Sequence, residues 1–105
     1  MIGTLKKLIG LGPKEDYKEL VKSGAKIVDV RTRSEYASGH IKGSINIPLN
    51  ELNKASKSLK PEMVIITCCA SGMRSSAAKS QLKAMGFQNV YNGGGWYSLN
   101  NKIRS

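Results

Sequence analysis

The sequence MVIITCCASGMR, residues 63–74, decides the fold of this 105-residue chain. Met63–Thr67 is a short, continuous apolar run that is rich in β-branched residues, which predicts a strand buried on both faces. A loop of small residues follows, and apolar residues then recur at helical spacing, which predicts a helix over Ser75–Met85 that ends at Gly86. A buried strand that leads through a loop into a helix is the unit from which parallel α/β sheets are built.

The rest of the chain repeats this alternation. Further strands are predicted at Lys26–Val30, Ile45–Ile47 and Asn89–Tyr91, and helices at Asp16–Ser23, Ser34–Ser38 and Asn50–Ser58. Gly93–Gly95 predict a flexible turn after the last strand. In a parallel sheet of this kind the binding crevice lies beyond the carboxyl ends of the strands. Glycines and Pro13 separate an N-terminal extension, residues 1–13, from one domain, residues 14–105.

Charge is the unusual part of the composition. Lys and Arg number 17 and Asp and Glu number 7, so the formal net charge is +10. Such an excess predicts an anionic partner. The lysines are spread over several predicted helices instead of forming one block, which is typical of solvated surface and not of a stripe that binds nucleic acid. We therefore expect a small anion as partner, and no nucleic acid.

The composition also excludes several kinds of site. The chain has one histidine, His40, and two adjacent cysteines, too few ligands for a structural zinc site, so we expect no metal and no cofactor. Neighbouring cysteines do not suit a disulfide framework, and reduced thiols favour a cytoplasmic protein. No run approaches the roughly 18 apolar residues of a membrane span, so we expect none. His40 is predicted to be buried with satisfied hydrogen bonds.

The loop from Cys69 to Arg74 has the composition of an anion site with a nucleophile. The four residues between them are Ala70, Ser71, Gly72 and Met73. A tight loop turns backbone N–H groups inward and the following helix adds its positive end, so a cysteine thiolate is stabilised there. Arg74 can present a planar guanidinium to an oxyanion. Ser75 is predicted to cap the helix, with a polar contact to the Cys69 sulfur as the alternative.

The two cysteines compete for the role of nucleophile. Five residues separate Cys68 from Arg74, which matches the spacing of cysteine phosphatases, whereas four separate Cys69 from Arg74. Side chains alternate along a strand, so if Cys69 faces the loop, Cys68 points back into the sheet packing. A phosphatase or arsenate reductase that uses Cys68 stays open as an alternative. It needs a general acid, and no Asp stands near the loop in sequence.

Three motifs resemble the rhodanese family. The first is DVRTRSEYASGHIKGSINIP over residues 29–48, which resembles the family's D-V-R, acidic-aromatic and G-H-I-x-G pattern. The second is C-x-x-G-x-R-S, with Cys69, Gly72, Arg74 and Ser75. The third is the closing stretch with Val90, Asn92, Gly93 and Gly94. In this order they span residues 14 to about 100, nearly the whole chain.

The resemblance implies a five-stranded parallel sheet flanked by helices on both faces. It implies that Cys69 is the catalytic cysteine of a thiosulfate-type sulfurtransferase. Cys69 then takes a sulfane sulfur from an anionic donor, thiosulfate or a persulfide, and its persulfide passes the sulfur to cyanide or a thiol, which can belong to a protein. The phosphatase branch has a longer loop, so the six residues Cys69–Arg74 favour sulfur over phosphorus.

Asp29 and Arg31 follow a predicted strand, where we expect them to brace the loops at the carboxyl edge as an ion pair or through hydrogen bonds. Rhodanese-like domains also serve as non-catalytic interaction modules, which stays open as an alternative function. The presence of both Cys69 and Arg74 argues against an inactive version.

Overall fold

The computed structural model describes residues 15–104. Within them a parallel four-stranded sheet has the spatial order β2-β1-β3-β4. Its strands are β1 (Lys26–Asp29), β2 (Ile45–Asn46), β3 (Val64–Cys69) and β4 (Asn89–Gly95). The predicted parallel α/β class is confirmed, with four strands in the described residues where five were expected. The predicted extension, residues 1–13, lies outside the described residues.

Five α-helices accompany the sheet within residues 15–104. They are α1 (Tyr17–Lys22), α2 (Arg33–Ala37), α3 (Leu52–Ala55), α4 (Met73–Ala84) and α5 (Trp96–Arg104). Short 3-10 turns, Leu49–Glu51 and Ser56–Ser58, flank α3, so the helix predicted over Asn50–Ser58 is an interrupted one. No helix in residues 15–104 has the length and apolar character to cross a bilayer.

The core has two halves, one on each face of the sheet. On one face Ile65 packs with residues of α3 and α4, including Leu52 and Leu82. On the other face Ile66 packs with Leu99 and with side chains of α1 and α5. Residues 65 and 66 of β3 are both fully buried, which explains why the strand is an uninterrupted apolar run.

Some element ends differ from the predicted ones. Helix α2 is capped by Thr32, not Ser34, and Thr32 forms a reciprocal capping box with Glu35. Helix α4 begins at Met73, with Gly72 in the N-cap position, so the predicted capping role of Ser75 is wrong. Gly93–Gly95 belong to β4 and are not a flexible turn.

Gly93 shows why the last strand needs glycine. A Cβ atom at this position would lie 2.8 Å from side-chain atoms of Ile66 and Leu99 and 2.9 Å from the carbonyl oxygen of Thr67. The pairing of β3 with β4 also shifts register between Thr67 and Cys69, at the start of the loop that leads to α4. Glycine at this position therefore lets β4 pack closely against the end of β3.

Candidate active site

Cys69 is the last residue of β3, and its sulfur is surrounded by hydrogen-bond donors. The backbone N–H of Gly72 donates to Sγ at 2.9 Å and that of Ser75 at 3.4 Å. The Ser75 hydroxyl lies 3.5 Å from Sγ. Burial raises the pKa of the Cys69 thiol, but these donors and the backbone of Ser71 together outweigh it, so its pKa is lowered. The arrangement favours a thiolate.

The loop curls because Gly72 adopts a left-handed conformation, with φ +105°. It also lies against β4, since a Cβ atom at Gly72 would be 3.5 Å from the Cα atom of Gly94. Gly72 occupies the N-cap position of α4, so the positive end of this twelve-residue helix begins at the loop. The loop therefore offers both N–H donors and a helix end to an anion.

Arg74 lies in the first turn of α4 and is held by a carboxylate from α2. Its Nη1 and Nη2 atoms donate to Oε1 and Oε2 of Glu35 at 2.8 and 3.0 Å. Arg74 holds the pKa of Glu35 down, to about 2, with help from Thr32. The guanidinium has five N–H donors, and the contact with Glu35 uses two of them.

Ser75 is fully buried and touches the sulfur, which was the alternative to a capping role. Its hydroxyl oxygen also lies 2.6 Å from Oδ1 of Asn92 and 3.0 Å from the carbonyl oxygen of Gly72. The carbonyl oxygen of Ser75 accepts from the hydroxyl of Thr67 at 2.8 Å. The contacts with Cys69, Thr67 and Asn92 thus fix the first turn of α4 against β3 and β4.

Cys68 points to the other face of the sheet, as the alternation along β3 predicts. It is fully buried in the core half that contains Ile66 and Leu99, and Cys69 lies in the opposite half. Burial, and then the nearby Asp29 carboxylate, raise the pKa of the Cys68 thiol far above its usual value. Cys68 is a packing residue in this arrangement.

Asp29 and Arg31 form a buried ion pair beneath the site. The Arg31 side chain donates from Nε and Nη2 to both Asp29 oxygens at 2.8–3.0 Å. Its remaining donors reach the carbonyl oxygens of Glu35 and Gly39, and the guanidinium stacks 4.7 Å from the Trp96 ring centre. The pair braces helix α2, which presents Glu35 to Arg74.

A groove of about 320 Å³ opens beside Arg74, at the carboxyl edge where the sequence places the crevice. Its other lining residues include Val30, Thr32, Pro48, Leu49 and Gln81. Met73, at the end of the loop, is 80% exposed. Cys69 itself has no exposed surface, so a reactant reaches its sulfur only when the covering atoms shift.

Sequence reasoning missed two residues that the structure brings to the site. Glu35 belongs to the acidic-aromatic motif, but nothing local shows that it meets Arg74, 39 positions along the chain. Asn92 belongs to the closing motif, where only its position before the glycines singled it out. The prediction for His40 was wrong: it is exposed, stacks on Tyr36 with ring centres 3.7 Å apart and meets the Tyr36 carbonyl oxygen through Nδ1.

A parallel sheet with helices on both faces, and with a cysteine and an arginine at the two ends of the short loop between β3 and α4, defines a class of α/β domains. Residues 13–102 match the profile of the rhodanese-like domain. The chain belongs to the rhodanese-like family.

Several relatives have names that refer to sulfur. The chain is 36% identical over 70 residues to the thiosulfate sulfurtransferase PspE of Escherichia coli, covering 65% of this chain and 67% of that one. It is 39% identical over 80 residues to the putative sulfur carrier protein YrkF of Bacillus subtilis, covering 74% of this chain. The chain spans 43% of the length of YrkF and 65% of that of YqhL, another Bacillus subtilis relative.

Solved structures agree with this assignment. The human single-domain sulfurtransferase TSTD1 matches with a TM-score of 0.71 at 30% identity, over 84% of this chain and 91% of that one. A rhodanese from Escherichia coli with bound anions matches with a TM-score of 0.66 at 32% identity, over 70% and 89%. These similarities support the family and its fold.

Proposed function

We propose that this protein is a thiosulfate-type sulfurtransferase that works through a persulfide on Cys69. The observation that supports it best is the ring of donors around the Cys69 sulfur, which stabilises a thiolate at the start of a helix. A thiolate in a cradle of N–H groups is suited to attack an anionic sulfur compound. Arg74, the last residue of the loop, supplies the positive charge that binds this anionic compound.

The proposed reaction has two steps. In the first, the Cys69 thiolate attacks the outer sulfur of thiosulfate; a new S–S bond forms at Cys69, the S–S bond of thiosulfate breaks, and sulfite leaves with the electron pair. In the second, cyanide or a thiolate attacks the outer sulfur of the persulfide. The electron pair of the breaking bond returns to Cys69, which regenerates the thiolate.

The same loop stabilises each charged state. The starting thiolate and the persulfide anion are both negative. The Gly72 and Ser75 N–H groups donate to the Cys69 sulfur, and the positive end of α4 begins beside it. Donors in this proposal are small anions, thiosulfate or a low-molecular-weight persulfide. Acceptors are cyanide or a thiol, including a protein thiol, in the cytoplasm. No cofactor takes part.

Intact-mass measurement tests the proposal. The wild-type protein, Cys68→Ser and Cys69→Ser are each incubated with thiosulfate and then weighed under non-reducing conditions. We expect wild type and Cys68→Ser to gain the mass of one sulfur atom, and Cys69→Ser to gain none. Equal loading of Cys69→Ser, or no loading of wild type by thiosulfate or by a persulfide, contradicts the proposal.

The alternatives have less support from the site. A phosphatase or arsenate reductase based on Cys68 needs that thiol at the loop, whereas it is buried on the opposite face with a raised pKa. Phosphate-ester hydrolysis that is lost in Cys68→Ser but kept in Cys69→Ser would favour it. An interaction module would give no sulfur loading together with a stable protein partner in pull-down.

A further inference from the structure

The Ser75 hydroxyl has one proton and three polar neighbours. Its oxygen lies 2.6 Å from Asn92 Oδ1, 3.0 Å from the Gly72 carbonyl oxygen and 3.5 Å from Cys69 Sγ. A hydroxyl donates one hydrogen bond at a time. When Cys69 is a thiol, its S–H donates to Ser75 Oγ, and the shortest distance directs the Ser75 O–H to Asn92. When Cys69 is a thiolate, the Ser75 O–H must turn to the sulfur to stabilise it.

The side-chain amide of Asn92 faces the Ser75 hydroxyl. It pairs with Thr67 across β3 and β4, immediately before the register shift. Its Oδ1 also accepts from the Gly94 N–H at 2.9 Å, its Nδ2 donates to the Gly72 carbonyl oxygen at 3.4 Å, and its own carbonyl oxygen accepts from the Tyr17 hydroxyl at 3.0 Å. The amide is therefore oriented from both ends, with Oδ1 towards Ser75.

We propose that Asn92 is a positioning residue that sets the ionisation of Cys69 by competing with its sulfur for the Ser75 proton. Asn92 Oδ1 gains the Ser75 O–H in the thiol state and gives it up when the thiol proton leaves to solvent. In the thiolate state Oδ1 keeps the Gly94 N–H, so it is not left without a donor. The competition raises the pKa of Cys69 relative to a site without this acceptor.

Other charged or titratable groups around the sulfur lie on different elements. Arg74 on α4 interacts with Cys69 by charge, and Glu35 on α2 stands behind it. Cys68 precedes Cys69 on β3 and lies next to the ion pair that Asp29, at the end of β1, forms with Arg31. None of the hydrogen bonds described above joins these groups to Asn92. Substitutions at Asn92 and Ser75 therefore separate the effect of Asn92 from theirs.

The test measures the pKa of Cys69 from the pH dependence of its alkylation rate by iodoacetamide, with Cys68→Ala in every variant so that one thiol reacts. Asn92→Leu removes the nearer of the two oxygen acceptors that compete with the sulfur and leaves the Gly72 carbonyl oxygen, and we expect it to lower the pKa by about half a unit to one unit. Asn92→Asp places a stronger acceptor at the same position, and we expect it to raise the pKa by about one unit or more.

Ser75→Ala decides whether the effect passes through the hydroxyl. In a Ser75→Ala background we expect the Asn92→Leu shift to disappear and the Asn92→Asp shift to shrink to its charge effect. Asn53→Asp, at an exposed asparagine, is the control for added charge, and we expect no shift. Thermal unfolding checks that each variant folds.

Two results overturn the proposal. One is a folded Asn92→Leu with the wild-type pKa or with a shift that persists at full size without Ser75. The other, which applies if Asn92→Leu does not fold, is a shift of the Cys69 pKa by Asn92→Asp that has the same size with and without Ser75. Because no sulfur donor is used, these outcomes are independent of whether Cys69 loads sulfur.

Discussion

Arg74 and Glu35 form a two-point ion pair that connects the active loop to helix α2. Both guanidinium end nitrogens meet both carboxylate oxygens, at 2.8 and 3.0 Å, and each side chain is about one-third exposed. Glu35 is fixed in turn by Thr32, whose backbone N–H donates to Oε1 at 2.9 Å. The loop arginine thus has a defined direction before any substrate binds.

The first prediction concerns this arginine. Arg74→Ala removes charge-assisted hydrogen bonds to an anionic donor, and we expect kcat/KM for thiosulfate to fall about 10- to 100-fold in an assay of thiocyanate formation. Arg74→Lys keeps the charge but loses the planar geometry, so we expect a partial loss. Lys83→Ala, on the exposed side of the same helix, should leave kcat/KM unchanged. A larger loss for Lys83→Ala than for Arg74→Ala contradicts this account.

A second prediction follows from the pKa of Glu35, which Arg74 lowers from 4.5 to about 2. A carboxyl group whose pKa is lower in the folded state stabilises the fold above its unfolded pKa and loses that effect as pH falls towards the folded value. We expect the difference in free energy of unfolding between wild type and Glu35→Gln to be constant above about pH 5 and to shrink from pH 4.5 towards pH 2. Urea unfolding at a series of pH values measures it.

The control for this pH effect removes the partner. In an Arg74→Met background the largest cause of the lowered pKa is absent, so Glu35→Gln should show a much weaker pH dependence. Both side chains are partly exposed, so added salt should also reduce the effect. A pH dependence that is the same with and without Arg74 would assign the lowered pKa to Thr32 instead.

A third prediction concerns the hydroxyl beside the sulfur. Ser75→Ala removes one of the donors that lower the pKa of Cys69, so this pKa should rise. The increase of kcat/KM with pH, which follows ionisation of the thiol, should then move to higher pH. Ser76→Ala is the matched control, because the neighbouring serine is exposed. The pH profile of sulfur transfer distinguishes them, and equal profiles for the two variants would contradict the role of Ser75.

The sequence predicts the strands and the loop better than it predicts what holds them. Met63–Thr67 is an unbroken apolar run, and side-chain alternation alone separates Cys68 from Cys69. The partnership of Glu35 with Arg74 depends on how α2 and α4 meet, which no local pattern contains. The glycines before Trp96 look like a turn in sequence, yet they form a strand because Gly93 fits where a side chain would meet Ile66 and Thr67.

The last prediction compares the ion pairs of two arginines that lie two residues apart in the chain. Arg31 is buried and pairs with the fully buried Asp29, whereas the pair of Arg33 with Glu51 is exposed. Arg31→Met leaves the Asp29 carboxylate buried without its cationic partner, with the backbone N–H of residue 31 and the Cys68 thiol beside it, so we expect a loss of about 3–5 kcal/mol in the free energy of unfolding. Arg33→Met breaks a solvated pair, so we expect a loss of about 0–1 kcal/mol. Urea unfolding at neutral pH measures both, and equal losses would mean that Arg31 does not brace the loop edge beneath the active site.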